Sequence, residues 1–198
     1  MKKILLFLAL LLVSAASSAQ TDEHLKFMGM PINGKIMEFQ QALAKKGFFC
    51  NGTDGNTISM HGAFADNKDC NVIIMCSQDT KVVYSVSVIF PADEDWNSLY
   101  GRYSLLKKNL TEKYANDKVD CAETFSSTYQ KTDNSLVLFH AVKSGDCNYS
   151  TTIIDSLGVI RLQISNAKKA YDTTCFVSLV YLDGVNGLKE NDKIKDDL

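Results

Sequence analysis

Between Asp93 and Tyr114 the chain reads DEDWNSLYGRYSLLKKNLTEKY, with apolar residues at Trp96, Leu99, Tyr100, Tyr103, Leu106, Leu110 and Tyr114. Steps of three and four put these side chains on one face of an α-helix. Asp93 stands where a cap would, after Pro91, and Glu94 and Asp95 suit the positive end of the helix dipole. The flanking segments change to a period of two, the signature of strands. A long amphipathic helix between two strand-forming stretches restricts the chain to a mixed architecture.

The first half supplies one more helix and three strands. Gly34 to Lys46 carries Ile36, Phe39 and Leu43 at helical spacing, and Gly47 suits a left-handed stop before Phe48. Strands are expected over Thr57–Phe64, Cys70–Cys76 and Lys81–Phe90; in the last, Val82, Tyr84, Val86, Val88 and Phe90 point one way. The second half predicts strands over Ala122–Gln130, Leu136–Val142, Tyr149–Ile154, Val159–Ser165 and Cys175–Leu182, with Asp155 to Gly158 as a hairpin turn. A short helix is expected near Leu188 to Ile194. The fold class is therefore α+β: two helix-then-antiparallel-strands units, about 33–91 and 93–182, forming a mainly antiparallel sheet. The helices would pack on one face and leave the other partly open.

The chain opens MKKILLFLALLLVSAASSAQ. A basic start, a short apolar run and small residues before Gln20 read as a signal peptide over 1–19, leaving a single α+β domain over 20–198 with a polar tail from Asp183. The run is shorter than the roughly 20 residues of a membrane-spanning helix, and no Cys lies near the cut to carry a lipid. Periplasm or secreted space is the expected location, with no transmembrane segment in the mature chain. The chain holds 21 basic and 23 acidic residues and no basic cluster, so nucleic acid is a poor partner.

Six cysteines in an exported chain predict a disulfide-stapled fold. Cys76 follows Cys50 by 26 residues and Cys147 follows Cys121 by 26, at apparently equivalent places after the two helices. That spacing favours Cys50–Cys76 and Cys121–Cys147, with Cys70 and Cys175 left to join the halves. A Cys70–Cys76 bridge is excluded if one strand holds both.

Four stretches resemble an uncharacterised family of small secreted Bacteroidetes proteins with no assigned activity: FMGMPINGKIMEFQQALAKKGF, GAFADNKDCNVII, WNSLYGRYSLLKKNLTEKY and CFVSLVYLDGVNGLKENDKIKDDL. The resemblance covers most of the mature chain. It implies export and a shared fold, and it implies no catalytic residue. Lys35 stands where that family is expected to carry Thr or Ser before the first helix, which weakens that cap. The twice-repeated plan is also similar to tandem-repeat β-lactamase inhibitor proteins, at the level of fold alone.

No catalytic motif is present: neither G-x-S-x-G, nor H-E-x-x-H, nor C-x-x-C occurs. The three histidines are His24, in the lead-in and expected to be solvated, His61 on a polar strand face, and His140 on a strand face with Leu136 and Leu138. The Gly-rich stretches Asn51–Asn56 and Asp183–Gly187 lack the ligand spacing of a Ca²⁺ loop and read as turns. No catalytic residue, metal or cofactor is assigned. Trp96, Tyr100, Tyr103 and Tyr114 are expected in the core; Tyr129, Tyr149 and Tyr171 are expected nearer the surface, where they could contact a sugar or a protein. The favoured function is a non-catalytic exported module binding protein or glycan. The alternatives are a small hydrolase using His61 or His140 and an inhibitor of a secreted enzyme.

Overall fold

The computed structural model describes residues 23–115, 117–126, 132–169 and 172–196. A two-stranded ribbon, β1 (Lys26–Phe27) and β2 (Met30–Pro31), leads into α1 (Ile36–Ala44). Four strands follow: β3 (Phe49–Asp54), β4 (Thr57–Phe64), β5 (Asn67–Cys76) and β6 (Val83–Ile89). Then come α2 (Trp96–Lys113), β7 (Lys118–Phe125) and α3 (Ser135–Ser144). The chain ends in β8 (Cys147–Asp155), β9 (Gly158–Lys169), β10 (Asp172–Asp183) and α4 (Gly184–Asp196). Strands β3 to β10 form one antiparallel sheet in the order β3-β4-β5-β6-β10-β9-β8-β7.

The helix boundaries follow from caps and carbonyl partners. Asp95, rather than Asp93, caps α2 by accepting from the Ser98 amide. Lys35 gives α1 no side-chain cap, and the Ile36 amide instead takes the Lys81 carbonyl of a neighbouring loop. Gly47, at φ 92°, ends that turn. Phe48 then folds under the sheet so tightly that a Cβ on Gly62 would lie 2.6 Å from its ring.

Three elements differ from the sequence expectation. The strand expected over Ala122–Gln130 is β7, which begins at Lys118 and ends at Phe125, and positions 127–130 lie outside the described residues. Leu136–Val142 is not a strand but most of α3. Asn134 caps it by accepting from the Leu136 and Val137 amides, and Gly145 closes it in the left-handed conformation at φ 82°. An edge strand, β3, lies where no alternation pointed to one, because every residue in it is exposed.

Helices α1, α2 and α3 cover one sheet face, and the core lies between. One row across that face runs Cys50, Met60, Val72, Val88, Leu179, Leu162, Thr151 and Cys121. The strand arrangement is symmetric about a pseudo-twofold between Val88 and Leu179, with a cysteine at each end of the row. Helix α4 departs from the one-face plan. It follows β10 onto the opposite face, where Gly187 lies against the Leu182 side chain.

The register overturns the disulfide expectation: all six cysteines are free thiols. Cys50 and Cys76 sit two strands apart and four residues out of register, about 16 Å at ordinary strand dimensions. Cys121 and Cys147 are on adjacent strands but four residues apart in level, about 14 Å. Cys70 and Cys175 are two strands and two residues apart, about 12 Å. A disulfide needs Cα atoms within roughly 7 Å. The matching 26-residue spacing is coincidental: α3 is inserted between β7 and β8, so the pseudo-twofold equivalent of Cys76 is Asn166.

Candidate functional site

The sequence-level candidates scatter. His61 lies on the open sheet face near Asn71 and 3.3 Å from Asp69, but the two side chains are 43% and 79% exposed, a solvated pair. His140 is exposed on α3 rather than on a strand. Neither lines the cavities described below. Tyr149 is buried, contrary to expectation, whereas Tyr100 is 41% exposed. Tyr129 and Tyr171 lie outside the described residues. Cys70, Cys76 and Cys175 are buried as small apolar side chains, and Cys50 and Cys121 are exposed on the two edge strands.

His24 is not solvated. It is buried in a polar knot that joins the two ends of the domain. The fully buried Asp183 carboxylate accepts from His24 Nδ1 at 3.0 Å, from the Leu25 amide at 3.0 Å and from the Asn186 amide at 2.8 Å. One arrangement satisfies every group. Asn186 turns its amide NH₂ toward the Ile32 and Val83 carbonyls and shares a hydrogen with Asn33 Oδ1. Asn33 Nδ2 therefore faces His24 Nε2 at 2.8 Å as the donor, and His24 carries its hydrogen on Nδ1. Every member has a hydrogen-bond partner among the described residues. The knot fixes where α4 starts.

That start builds a groove on the uncovered sheet face. Leu182, Val159 and Ile154 form one row across β10, β9 and β8. Helix α4 stands beside it, contributing Leu188, Gly184 and Gly187, and Tyr84 also lines the space. The space is about 500 Å³ and is lined mainly by apolar atoms. Leu188 is 63%, Ile154 45% and Leu182 39% exposed. Asp155, Asp183 and Glu190 are the carboxylates among the lining residues, and Asp183 is the buried one held in the knot. Small side chains let the helix come this close: a Cβ on Gly158, at φ 155°, would lie 2.2 Å from the Leu182 carbonyl oxygen.

A second feature lies on the opposite face of the sheet, under α2. Tyr149 is the hub of a ring cluster, touching Trp96, Tyr100, Tyr103 and Phe125 with centroids 5.2–6.2 Å away. Trp96 stacks on Tyr100 at 5.1 Å. Burial pushes the Tyr149 phenol up, as does its hydrogen bond to Glu123. Burial also pushes the nearby Cys147 thiol up to about 12, with Glu123 adding to it, so this thiol is a poor nucleophile near neutral pH. Two clefts of about 170 and 400 Å³ flank this cluster and share Tyr100, Glu123 and Tyr149.

The chain matches no known family model, no curated protein and no solved structure. Among the described residues no helix is long and apolar enough to cross a membrane.

Proposed function

We propose that this is an exported, non-catalytic binding module whose open-face groove takes an extended segment of a partner protein. The observation that carries the reading is the aliphatic groove itself. An antiparallel sheet can leave one face to water, but that face then normally alternates to polar residues. Here Ile154, Val159, Leu182 and Leu188 instead converge on one concave surface. Its volume lies in the range of ordinary ligand sites.

The chemistry of the lining defines the segment. Branched aliphatic walls fit a Leu, Ile or Val side chain. Asp155 and Glu190 favour a Lys or Arg next to it, because a carboxylate beside an apolar groove rewards a cation and repels an acid. Periplasm or secreted space is the compartment this reading assumes. Inhibition of a secreted enzyme is the same reading with an enzyme as the partner.

A positional-scanning library of acetylated hexapeptides, read by fluorescence polarisation on the mature chain, tests this. The expected result is enrichment of an aliphatic residue beside a basic one, lost in Leu188→Asp. Leu188 is exposed enough for that substitution to leave the fold intact. No enrichment, or enrichment unchanged in Leu188→Asp, rejects the groove as the binding surface.

A further inference from the structure

We propose that the cleft between α2, β7 and the start of α3 binds a carbohydrate, with one sugar ring lying on the exposed part of the Tyr100 ring. The platform is built before any ligand arrives. The Tyr100 ring stacks on Trp96 at 5.1 Å and 20°, lies 5.7 Å from Tyr149 at 72°, and lies 6.2 Å from Tyr103 at 33°. Two further ring neighbours hold Tyr149 in turn. A ring locked in this way loses little freedom on binding, so its stacking energy goes into affinity. Tyr100 is nonetheless 41% exposed, against 7% for Trp96. The exposed part of an aromatic ring lining a cleft suits the C–H surface of a sugar ring.

The surroundings are those of a polyol site rather than an apolar one. Asn97, Glu123, Asp133 and Ser135 line the larger cleft around Tyr100. Ser135 Oγ donates to Asn97 Oδ1, which leaves the Asn97 NH₂ with hydrogens to give. Carboxylates and a primary amide alternate acceptors with donors, as hydroxyl groups require. No Lys or Arg is among the described residues lining this larger cleft, so a phosphate or sulfate group is disfavoured there; Lys107 lines the smaller cleft. The smaller cleft shares Tyr100, Glu123 and Tyr149 with the larger one and adds about 170 Å³ beside it. This site is separate in the fold from the open-face groove and shares no lining residue with it.

The chain has one tryptophan, and it is Trp96 under Tyr100, so its fluorescence reports the site. The experiment titrates maltotriose, cellotriose and chitotriose into the mature chain, following Trp96 emission and confirming affinity by calorimetry. The expected result is a saturable change with at least one of them. Tyr100→Ala should then weaken binding about tenfold or more, and Tyr100→Phe should keep it within about threefold, because stacking needs the ring and not the hydroxyl. Circular dichroism checks that each variant is folded. The proposal is overturned if none of the three sugars binds, if Tyr100→Ala binds as well as wild type, or if Leu188→Asp abolishes binding instead.

Discussion

His24 Nδ1 donates to the Asp183 carboxylate at 3.0 Å although 159 positions separate the two residues. The bond ties the lead-in before β1 to the junction of β10 and α4. The open-face groove depends on it, because the same carboxylate receives the Asn186 amide and so sets where the helix begins. Asp183→Ala leaves three buried donors without an acceptor and should lower stability by about 3 kcal/mol. Urea unfolding measures the loss. Cutting the chain after His24 should also be destabilising, since it removes one of the donors.

Gly158→Ala should disturb both fold and groove. Its Cβ would lie 2.2 Å from the Leu182 carbonyl oxygen and 2.9 Å from the Gly184 nitrogen. Backbone atoms cannot swing aside, so the β8–β9 hairpin or α4 must move, at a cost of about 2–3 kcal/mol. Weaker peptide binding together with a lower urea midpoint is the expected pair of results.

The thiols should react in an order set by burial. Cys50 and Cys121 should be alkylated first in the native protein, and Cys70, Cys76 and Cys175 only on unfolding. Cys147 is partly buried, with its pKa pushed from 9.0 to about 12, so its alkylation should accelerate as pH rises toward that value. The folded state favours the neutral thiol. Its contribution to stability is therefore present below about pH 9 and lost as pH rises through 12. Mass spectrometry of an iodoacetamide time course gives the order, and Cys147→Ala should flatten the alkaline fall in stability.

Arg102 holds Asp93 with a two-pronged grip, Nε to Oδ2 at 3.1 Å and a terminal nitrogen to Oδ1 at 2.8 Å, and also contacts Asn67. Asp93 was expected to cap α2; it instead clamps the helix to the segment leaving β6. Arg102→Lys keeps the charge but not the fork, and should cost about 1–2 kcal/mol in urea unfolding.

The sequence showed the fold wherever one face of an element is buried. Val86, Val88, Leu179 and Tyr181 alternate because one side of their strands meets the core, and Leu99, Tyr103 and Leu106 repeat because α2 lies on it. It failed where that link breaks. Edge strand β3 has no buried side and hence no alternation. The apolar run Leu136–Val142 is too uniform to show a period; only Asn134 before it and Gly145 after it signal a helix. The ring cluster was readable as helical spacing, but which ring stays exposed depends on where β8 places Tyr149. The groove was not readable at all, because Ile154, Val159, Leu182 and Leu188 meet only once the register and the Asp183 knot are set.

The most direct test of the groove is an NMR titration of the isotope-labelled mature chain with the peptide enriched from the library. The account predicts methyl shift changes at Ile154, Val159, Leu182 and Leu188, with the core methyls of Val72 and Leu162 unmoved. Changes centred elsewhere, on α1 or on the ring cluster, would contradict it.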